Sequence, residues 1–192
     1  LFTLHSACME YITNCFIEEV CEEIATGENI IFNTYAILKA QAKDYVRNAQ
    51  IHLILQPIVD KLLTIFRSKT SIENRLNQML SMLRQESRLE LGYAGGNILN
   101  LFCQLQTDLS GYDFSHLNIW QAYLQGVNLY NVSFACSDLA KSVFAETFGG
   151  IWSVTFSPDA KLVATGNADG EIHLWRVADA QQLFTFKGHT SW

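Results

Sequence analysis

Residues 107–146 read TDLSG YDFSH LNIWQ AYLQG VNLYN VSFAC SDLAK SVFAE, and an apolar residue returns there at every fifth position. An α-helix advances about 100° per residue, so steps of five would scatter these side chains around its axis. A flat strand would send successive ones to opposite faces. A chain that turns a corner every five residues can present all eight to one axis. These anchors are Leu109, Phe114, Ile119, Leu124, Leu129, Phe134, Leu139 and Phe144.

The residues beside the anchors agree with this geometry. Two positions before each anchor the side chains are mostly small, as a narrow interior requires. One position before, aspartate and asparagine recur, and these residues favour turns and solvent: Asp108, Asp113, Asn118, Asn128 and Asp138. The alternative interpretation, an amphipathic helix with chance spacing, would have to account for eight consecutive matches.

These pentads resemble pentapeptide repeats, and the resemblance implies a four-sided, right-handed β-helix. We call residues 107–146 the ladder. Eight pentads make two turns of a square coil, which rises only about 10 Å at the usual strand spacing. A short solenoid needs caps at its ends. We expect a helix at Asn97–Leu105 to cover the first end and the carboxy-terminal segment to cover the second.

The first 105 residues predict a set of short antiparallel helices. Apolar residues at three- and four-residue spacing predict the first, and glutamates occupy its other faces; the apolar residues are Met9, Ile12, Phe16, Val20 and Ile24. A second helix is predicted over residues 33–48, and Pro57 suits the first turn of another. Thr70 followed by Glu73 predicts a capping box at the start of a further helix.

From Ile151 onward the apolar pattern alternates, which predicts four short strands at residues 151–156, 162–165, 171–177 and 182–186. The stretch WSVTFSPDAKLVATGNADGEIHLW, residues 152–175, resembles a WD40 repeat, and GHTSW at 188–192 resembles the start of the next. The resemblance implies one antiparallel blade of a β-propeller. One blade cannot close a propeller, which takes four to eight, so we expect the chain to be a fragment of a longer protein.

In the WD40 family a tryptophan, a serine or threonine, an aspartate and a histidine form a hydrogen-bonded set. Trp175, Thr165 and Asp169 match three of these positions, and the resemblance gives them structural roles. The histidine position is occupied by Phe148, Gly149 and Gly150 instead, and Arg176 replaces the aspartate of the name-giving dipeptide.

Composition excludes several functions. The net charge is −6, with 13 basic and 19 acidic residues. This charge gives no general electrostatic attraction to nucleic acid or to anionic membranes. No phosphate-binding loop, nucleophile elbow or metal-ligand spacing occurs. We therefore predict no enzyme activity, no cofactor and no metal. Five cysteines without paired spacing predict reduced, buried thiols and a cytoplasmic location.

These observations predict an α+β multidomain chain: a helical linker module at 1–105, the ladder at 107–146, and the first WD40 repeat with the start of the next at 147–192. This order resembles the carboxy-terminal half of bacterial, especially cyanobacterial, signalling ATPases, in which an NB-ARC-type or NACHT-type switch precedes a WD40 propeller. The resemblance implies a non-catalytic scaffold with protein partners on the propeller, and ATP or GTP bound only outside this chain. The alternative is a DNA-mimicking pentapeptide-repeat protein that acts on a topoisomerase.

Overall fold

The computed structural model describes residues 6–28, 30–85, 92–144, 151–167, 170–178 and 181–187. The chain forms two compact units, residues 1–145 and 146–192. The first unit contains the helices and the ladder, and the second contains an antiparallel sheet. The predicted combination of a helical amino-terminal part and a four-stranded sheet is therefore confirmed.

Six α-helices and one π-helical segment are described in the first unit. Their bounds are α1 Ser6–Thr26, α2 Ile30–Thr34, α3 Asp44–Gln50, π segment Ile51–Leu55, α4 Gln56–Phe66, α5 Lys69–Gln85 and α6 Ala94–Gln104. Their apolar faces meet in a common core. Its fully buried members include Val20, Ile24, Phe32, Ile58, Leu62, Ile72, Leu76, Ile98 and Phe102.

The segment α3, π and α4 forms one continuous helix, Asp44–Phe66. Pro57 lies in the first turn of α4, as predicted, although the helical backbone is continuous with the π segment before it. Proline lacks an N–H, and its ring collides with the carbonyl group four residues earlier. We attribute the π segment immediately before Pro57 to this collision, since the wider turn moves that carbonyl aside. The N–H of Gln56 donates to the carbonyl of Ile51.

Among the described residues, this helix is the one long and apolar enough to cross a membrane. Ile58, Val59 and Leu62 are buried, and α4 packs against α1, α5 and α6. We therefore assign the inward face of the helix to the core.

The predicted helix over residues 33–48 is interrupted: α2 ends at Thr34 and α3 begins at Asp44. Distant side chains bind the backbone of the intervening segment. Asn97 Oδ1 accepts the N–H of Ile37 at 3.1 Å, and Gln121 Oε1 accepts the N–H of Ala40 at 2.9 Å. These bonds replace the helical ones. The helix predicted to start at Asn97 begins at Ala94 instead, so Asn97 lies inside α6, where it is fully buried.

The predicted capping box at α5 is also wrong. The helix begins at Lys69, and Ser68 Oγ accepts the N–H of Ser71 at 3.1 Å. Glu73 Oε1 instead accepts the hydroxyl of Thr107 at 2.8 Å. The carboxylate that the sequence pattern assigned to a local cap thus fastens the start of the ladder to α5.

The ladder turns a corner at every fifth residue and returns to the same position after 20 residues. Parallel bridges join Asp113 to Ser133, Asn118 to Asp138 and Tyr123 to Val143. Positive backbone φ angles recur at five-residue intervals, from 57° to 77°. They lie at Gly111, His116, Gln121, Gly126, Asn131, Cys136 and Lys141. The left-handed conformation at each position reverses the chain direction between straight segments.

Hydrogen bonds between the two turns of the ladder run in both directions. Phe114 donates its N–H to the carbonyl of Ser133 at 2.8 Å, and Ser133 donates to that of Tyr112 at 3.0 Å. The same exchange recurs five and ten residues later. Within the described residues, the second turn carries no third turn beneath it.

The second unit is a sheet in the order β1-β2-β3-β4. Its strands are β1 Ile151–Phe156, β2 Leu162–Asn167, β3 Glu171–Arg176 and β4 Gln182–Lys187, all antiparallel to their neighbours. The four strands match the predicted positions to within two residues. All six residues of β1 are exposed.

Candidate interaction site

Two arrangements of side chains form the candidate site: the joint between helix α6 and the ladder, and a hydrogen-bonded group of polar side chains on the sheet. In the joint, Gly95 and Gly96 touch the first turn of the ladder. A methyl group on Gly96 would lie 1.8 Å from the carbonyl oxygen of Trp120, and one on Gly95 would lie 2.5 Å from that of Asn118. Only glycine allows this close an approach.

A buried side-chain amide holds the same joint. Asn100 is 2% exposed, donates to the carbonyl of Gln121 at 3.0 Å and accepts the N–H of Tyr123 at 2.8 Å. One helical side chain thereby satisfies both backbone groups of a ladder corner. Because Gln121 also reaches Ala40 in the loop before α3, the ladder is bonded to two separate parts of the helical region.

Arg47 supplies a third connection from α3. Its guanidinium donates to the carbonyls of Ala40 at 3.2 Å and Ala42 at 2.9 Å, and to Asp44 Oδ1 at 2.6 Å. The guanidinium carbon lies 4.1 Å from the ring centroid of Tyr123 in the ladder. A cation over an aromatic face in a desolvated position is stabilised by electrostatic attraction. Sequence reasoning missed this residue, because a lone arginine in a helix gives no local signal of burial.

The eight predicted anchors differ in burial between the two turns. Leu109, Phe114, Ile119 and Leu124 are at most 1% exposed. Their second-turn counterparts Leu129, Phe134 and Leu139 are half-buried, and Phe144 is 40% exposed. Helix α6 covers the first turn, whereas no described residue covers the second. The aromatic anchors stack along the axis, with 5.6 Å between the ring centroids of Phe114 and Phe134.

In the sheet, the side chains of Trp175 and Thr165 lie within hydrogen-bond distance. The indole N–H of Trp175 donates to Thr165 Oγ1 at 3.2 Å, and Thr165 is 7% exposed. Asp169 lies outside the described residues, as do Phe148, Gly149 and Gly150 at the family's histidine position.

His173 lies near this pair, and no role was predicted for it from the sequence. It stands two residues before Trp175 on β3 and is 3% exposed. Its Nε2 lies 3.2 Å from Asn167 Nδ2 and 3.4 Å from Glu171 Oε2, and its Nδ1 lies 3.2 Å from Thr185 Oγ1. The alternation of a strand puts residues i and i+2 on one face, and this signal could have identified it.

The turn between β1 and β2 and the end of β3 enclose a shallow depression of about 490 Å³. It is lined by apolar carbon and three charges: Asp159, Lys161 and Arg176. The hydroxyl of Ser157 and the backbone N–H of Lys161 donate to Asp159 and lower its pKa.

The cysteines divide into two classes. Burial raises the pKa of Cys21 and of Cys103 to about 11, so their thiolate forms are suppressed at neutral pH. Cys8 and Cys136 are exposed, which corrects the prediction that the thiols are buried. No group of three metal-ligating side chains occurs in the described part of the chain.

Residues 141–176 match the family model described as WD domain, G-beta repeat. The chain is 46% identical over 224 residues to the uncharacterized WD repeat-containing protein alr2800 of Nostoc sp. strain PCC 7120, which covers 100% of this chain and 18% of the relative. It is 38% identical over 118 residues to alr3466 of the same organism, covering 61% of this chain and 8% of the relative.

A shorter similarity, 48% over 40 residues, links 21% of this chain to 5% of the probable serine/threonine-protein kinase PkwA of Thermomonospora curvata. No solved structure is significantly similar to the chain. The chain thus contains a WD40 repeat and is homologous to cyanobacterial WD repeat-containing proteins that are much longer than itself. WD40 domains generally mediate protein–protein interactions.

The Trp175–Thr165 hydrogen bond yields a prediction for the sheet. Trp175→Phe and Thr165→Val should each destabilise the sheet, and a double-mutant cycle should give a coupling energy of about 1 kcal/mol, the usual net value of one hydrogen bond. Hydrogen exchange of the β2 and β3 amides measures the sheet separately from the helices. Strictly additive losses would show that this bond contributes nothing to stability.

Proposed function

We propose that the chain is a non-catalytic scaffold segment, in which a short pentapeptide-repeat β-helix joins a nucleotide-switch region to a propeller that binds protein partners. The ladder supports the first part of this proposal. Its corners recur every five residues, its bridges are parallel, and its first-turn anchors are buried. A square β-helix has these properties, because each side contributes one inward residue to the axis.

The observation that carries the proposal is the fit of α6 into the ladder. Gly96 lies too close to the carbonyl of Trp120 to carry a side chain. Asn100 forms hydrogen bonds to a ladder corner, and Arg47 stacks on Tyr123. A packed joint of this kind has little freedom to slide. A displacement of the helices would therefore move the ladder as one body, as a linker between a switch and a sensor requires.

The sheet supports the recruitment of partners. A single four-stranded blade leaves both outer strands unpaired, and such edges are normally covered by further blades. The relatives alr2800 and alr3466 are named as WD repeat-containing proteins, and this chain spans 18% and 8% of their lengths. In our proposal the propeller of a parent protein recruits another protein in the cytoplasm. The nucleotide would bind outside this chain.

The alternative, mimicry of DNA at a topoisomerase, gains little from the geometry of the ladder. A mimic needs stacked negative charge along a rod. Here Asp113 faces Ser133 and Asp138 faces Asn118 on the adjacent turn, so neither carboxylate is stacked on another. Arg84 also lies 3.9 Å from Asp113 and offsets its charge.

Affinity capture tests the proposed recruitment. The 192-residue chain would be immobilised on a resin and incubated with cyanobacterial extract. The bound proteins would then be quantified by mass spectrometry. Lys161 lines the depression on the sheet, with its side chain 80% exposed. Lys161→Glu should reduce capture of the specific partner at least tenfold, since charge reversal on a contact surface opposes association. An exposed position is expected to change stability by less than about 0.5 kcal/mol.

Lys141→Glu is the matched control, because Lys141 is also exposed but lies at a ladder corner. It should leave capture unchanged. Recovery of the same proteins with both variants, or of none above bare resin, would contradict recruitment through the sheet.

A further inference from the structure

Helix α1 extends beyond the core that it helps to form. Its last ten residues include Val20, Cys21 and Ile24, which are fully buried. The apolar residues of the amino-terminal half lie to one side of this buried face, and there Met9 is 51% exposed and Ile12 is 53% exposed. About two turns of an amphipathic helix therefore stand outside the core with their apolar side uncovered by any described residue.

The reason lies in the short helix α2, which runs back along α1. The carboxylate of Glu23 accepts the N–H groups of Ile31 and Phe32 at 2.8 and 2.9 Å, so α2 begins beside the end of α1. Four residues later Tyr35 meets Phe16, with 6.4 Å between ring centroids. The chain then turns away toward α3. This cover stops at Phe16, and Met9 and Ile12 lie beyond it.

We call Met9, Ile12, Phe16 and Tyr35 the apolar strip. Tyr35 is 57% exposed and Phe16 is half-buried beneath it. Exposed apolar residues that occur singly need no explanation, but a contiguous group at three- and four-residue spacing marks a binding surface. Helices recognise one another through residues at this spacing.

The charges around the strip identify the kind of partner. Helix α1 carries five glutamates, Glu10, Glu18, Glu19, Glu22 and Glu23, and no lysine or arginine. On a helix that advances about 100° per residue, Glu19 lies directly beside the line through Met9, Ile12 and Phe16, and Glu10 lies about 100° from Met9 on the other side. Both are exposed. The strip is thus an apolar line on a helix whose charged residues are all negative.

We propose that the apolar strip is the docking site for an amphipathic helix of a separate protein, with apolar residues on one face and lysine or arginine along its borders. Such a helix would bury Met9 and Ile12 and place its cations beside Glu10 and Glu19. The arrangement excludes water from the apolar contacts and satisfies the carboxylates at the rim.

Two other occupants fit the charges less well. A second copy of this chain, docked by the same strip, would bring the glutamates of both α1 helices together. Like charges at a shared interface oppose association. An anionic membrane surface would be repelled in the same way. The negative charge of α1 therefore favours a basic helix over both.

Fluorescence anisotropy with two designed probes tests the proposal on the complete 192-residue chain. The first is a labelled 18-residue amphipathic helix of leucine and lysine, and the second replaces each lysine with glutamate. The lysine probe should bind at least tenfold more tightly. Met9→Ser combined with Ile12→Ser should weaken its binding at least tenfold, whereas Glu10→Gln with Glu19→Gln should weaken it severalfold and reduce its dependence on salt.

Tyr130→Ser is the matched control, since Tyr130 is 76% exposed on the ladder, away from α1. It should leave the affinity for the lysine probe unchanged. Failure of that probe to bind, equal affinity for both probes, or unchanged affinity after the Met9 and Ile12 substitutions would overturn the proposal. A dimer in sedimentation that Ile12→Ser dissociates would assign the strip to self-association instead.

Discussion

Gly96→Ala is expected to destabilise the unit formed by residues 1–145 by about 3 kcal/mol or more. The added methyl group would meet the carbonyl oxygen of Trp120 at 1.8 Å, far inside van der Waals contact, and that oxygen belongs to the backbone. The helix must therefore move away from the ladder. Overpacking of this kind typically costs about 1–3 kcal/mol, and the two hydrogen bonds of Asn100 would be stretched as well.

Whether Gly96→Ala lowers or raises the stability of the unit distinguishes an effect of tertiary packing from one of helix propensity. In an exposed helix, glycine to alanine stabilises by about 1 kcal/mol. If the close approach of α6 to the ladder did not exist, Gly96→Ala would make the protein more stable. Thermal unfolding should show a midpoint lower by roughly 6–12 °C, at about 2–4 °C per kcal/mol for a domain of this size.

Two further variants calibrate this measurement. Gly95→Ala should cost less than Gly96→Ala, because its methyl group would lie 2.5 Å from the carbonyl of Asn118. Ser81→Ala, at an exposed position on α5, should change stability by less than about 0.5 kcal/mol. A Gly96→Ala protein as stable as the Ser81→Ala protein would contradict the joint.

The corners of the ladder could be predicted from spacing alone, since the five-residue apolar pattern fits neither a helix nor a strand. The burial difference between its turns could not. Phe114 and Phe144 occupy equivalent positions in the sequence pattern, yet the first is covered by α6 and the second is 40% exposed. The sequence of a single pentad does not indicate which elements of the fold pack above or below it.

The segment 35–43 shows why local reasoning failed in the helical region. Its composition permits a helix, but its backbone N–H groups are satisfied by Asn97 and Gln121, which lie 60 and 81 residues away in sequence. A single buried amide can outweigh helix propensity, because an unpaired backbone group costs about 1–3 kcal/mol and the propensity of one residue less than 1.

In the sheet, the family resemblance identified the pair that the structure joins, Thr165 and Trp175. It did not identify His173, which is buried on the same face. A resemblance carries only the residues in the family's pattern, whereas the two-residue alternation of β3 applies to any side chain. The alternation was therefore the better guide to this histidine.

Phe114→Ala should destabilise the same unit by about 3–5 kcal/mol, the usual cost of emptying a buried phenylalanine site. Phe114 is fully buried and stacks between Tyr112 at 5.8 Å and Phe134 at 5.6 Å. The carbonyl of Tyr112 accepts the N–H of Ser133 from the other turn, and the carbonyl of Phe134 accepts that of Ser137, so the backbone of both neighbours is held and cannot move into the cavity. Urea unfolding followed by circular dichroism gives the loss in free energy.

Phe144→Ala is the matched control, because it removes the same side chain from the same position of the pentad. Phe144 lies at the open end of the stack and meets Phe134 edge-on at 5.7 Å. Its loss should cost roughly 1 kcal/mol, as expected for an apolar group that is only partly withdrawn from water. Phe134→Ala should fall between the two, since Phe134 is half-buried.

The order of these three losses is a direct test of the coil. A solenoid that is capped at one end has its anchors progressively more exposed toward the other, so the cost must fall from Phe114 to Phe134 to Phe144. An amphipathic α-helix would place residues 20 positions apart at angles unrelated to this order. Equal losses at Phe114 and Phe144, or a larger loss at Phe144, would therefore exclude a common axis and remove the physical basis for a linker that moves as one body.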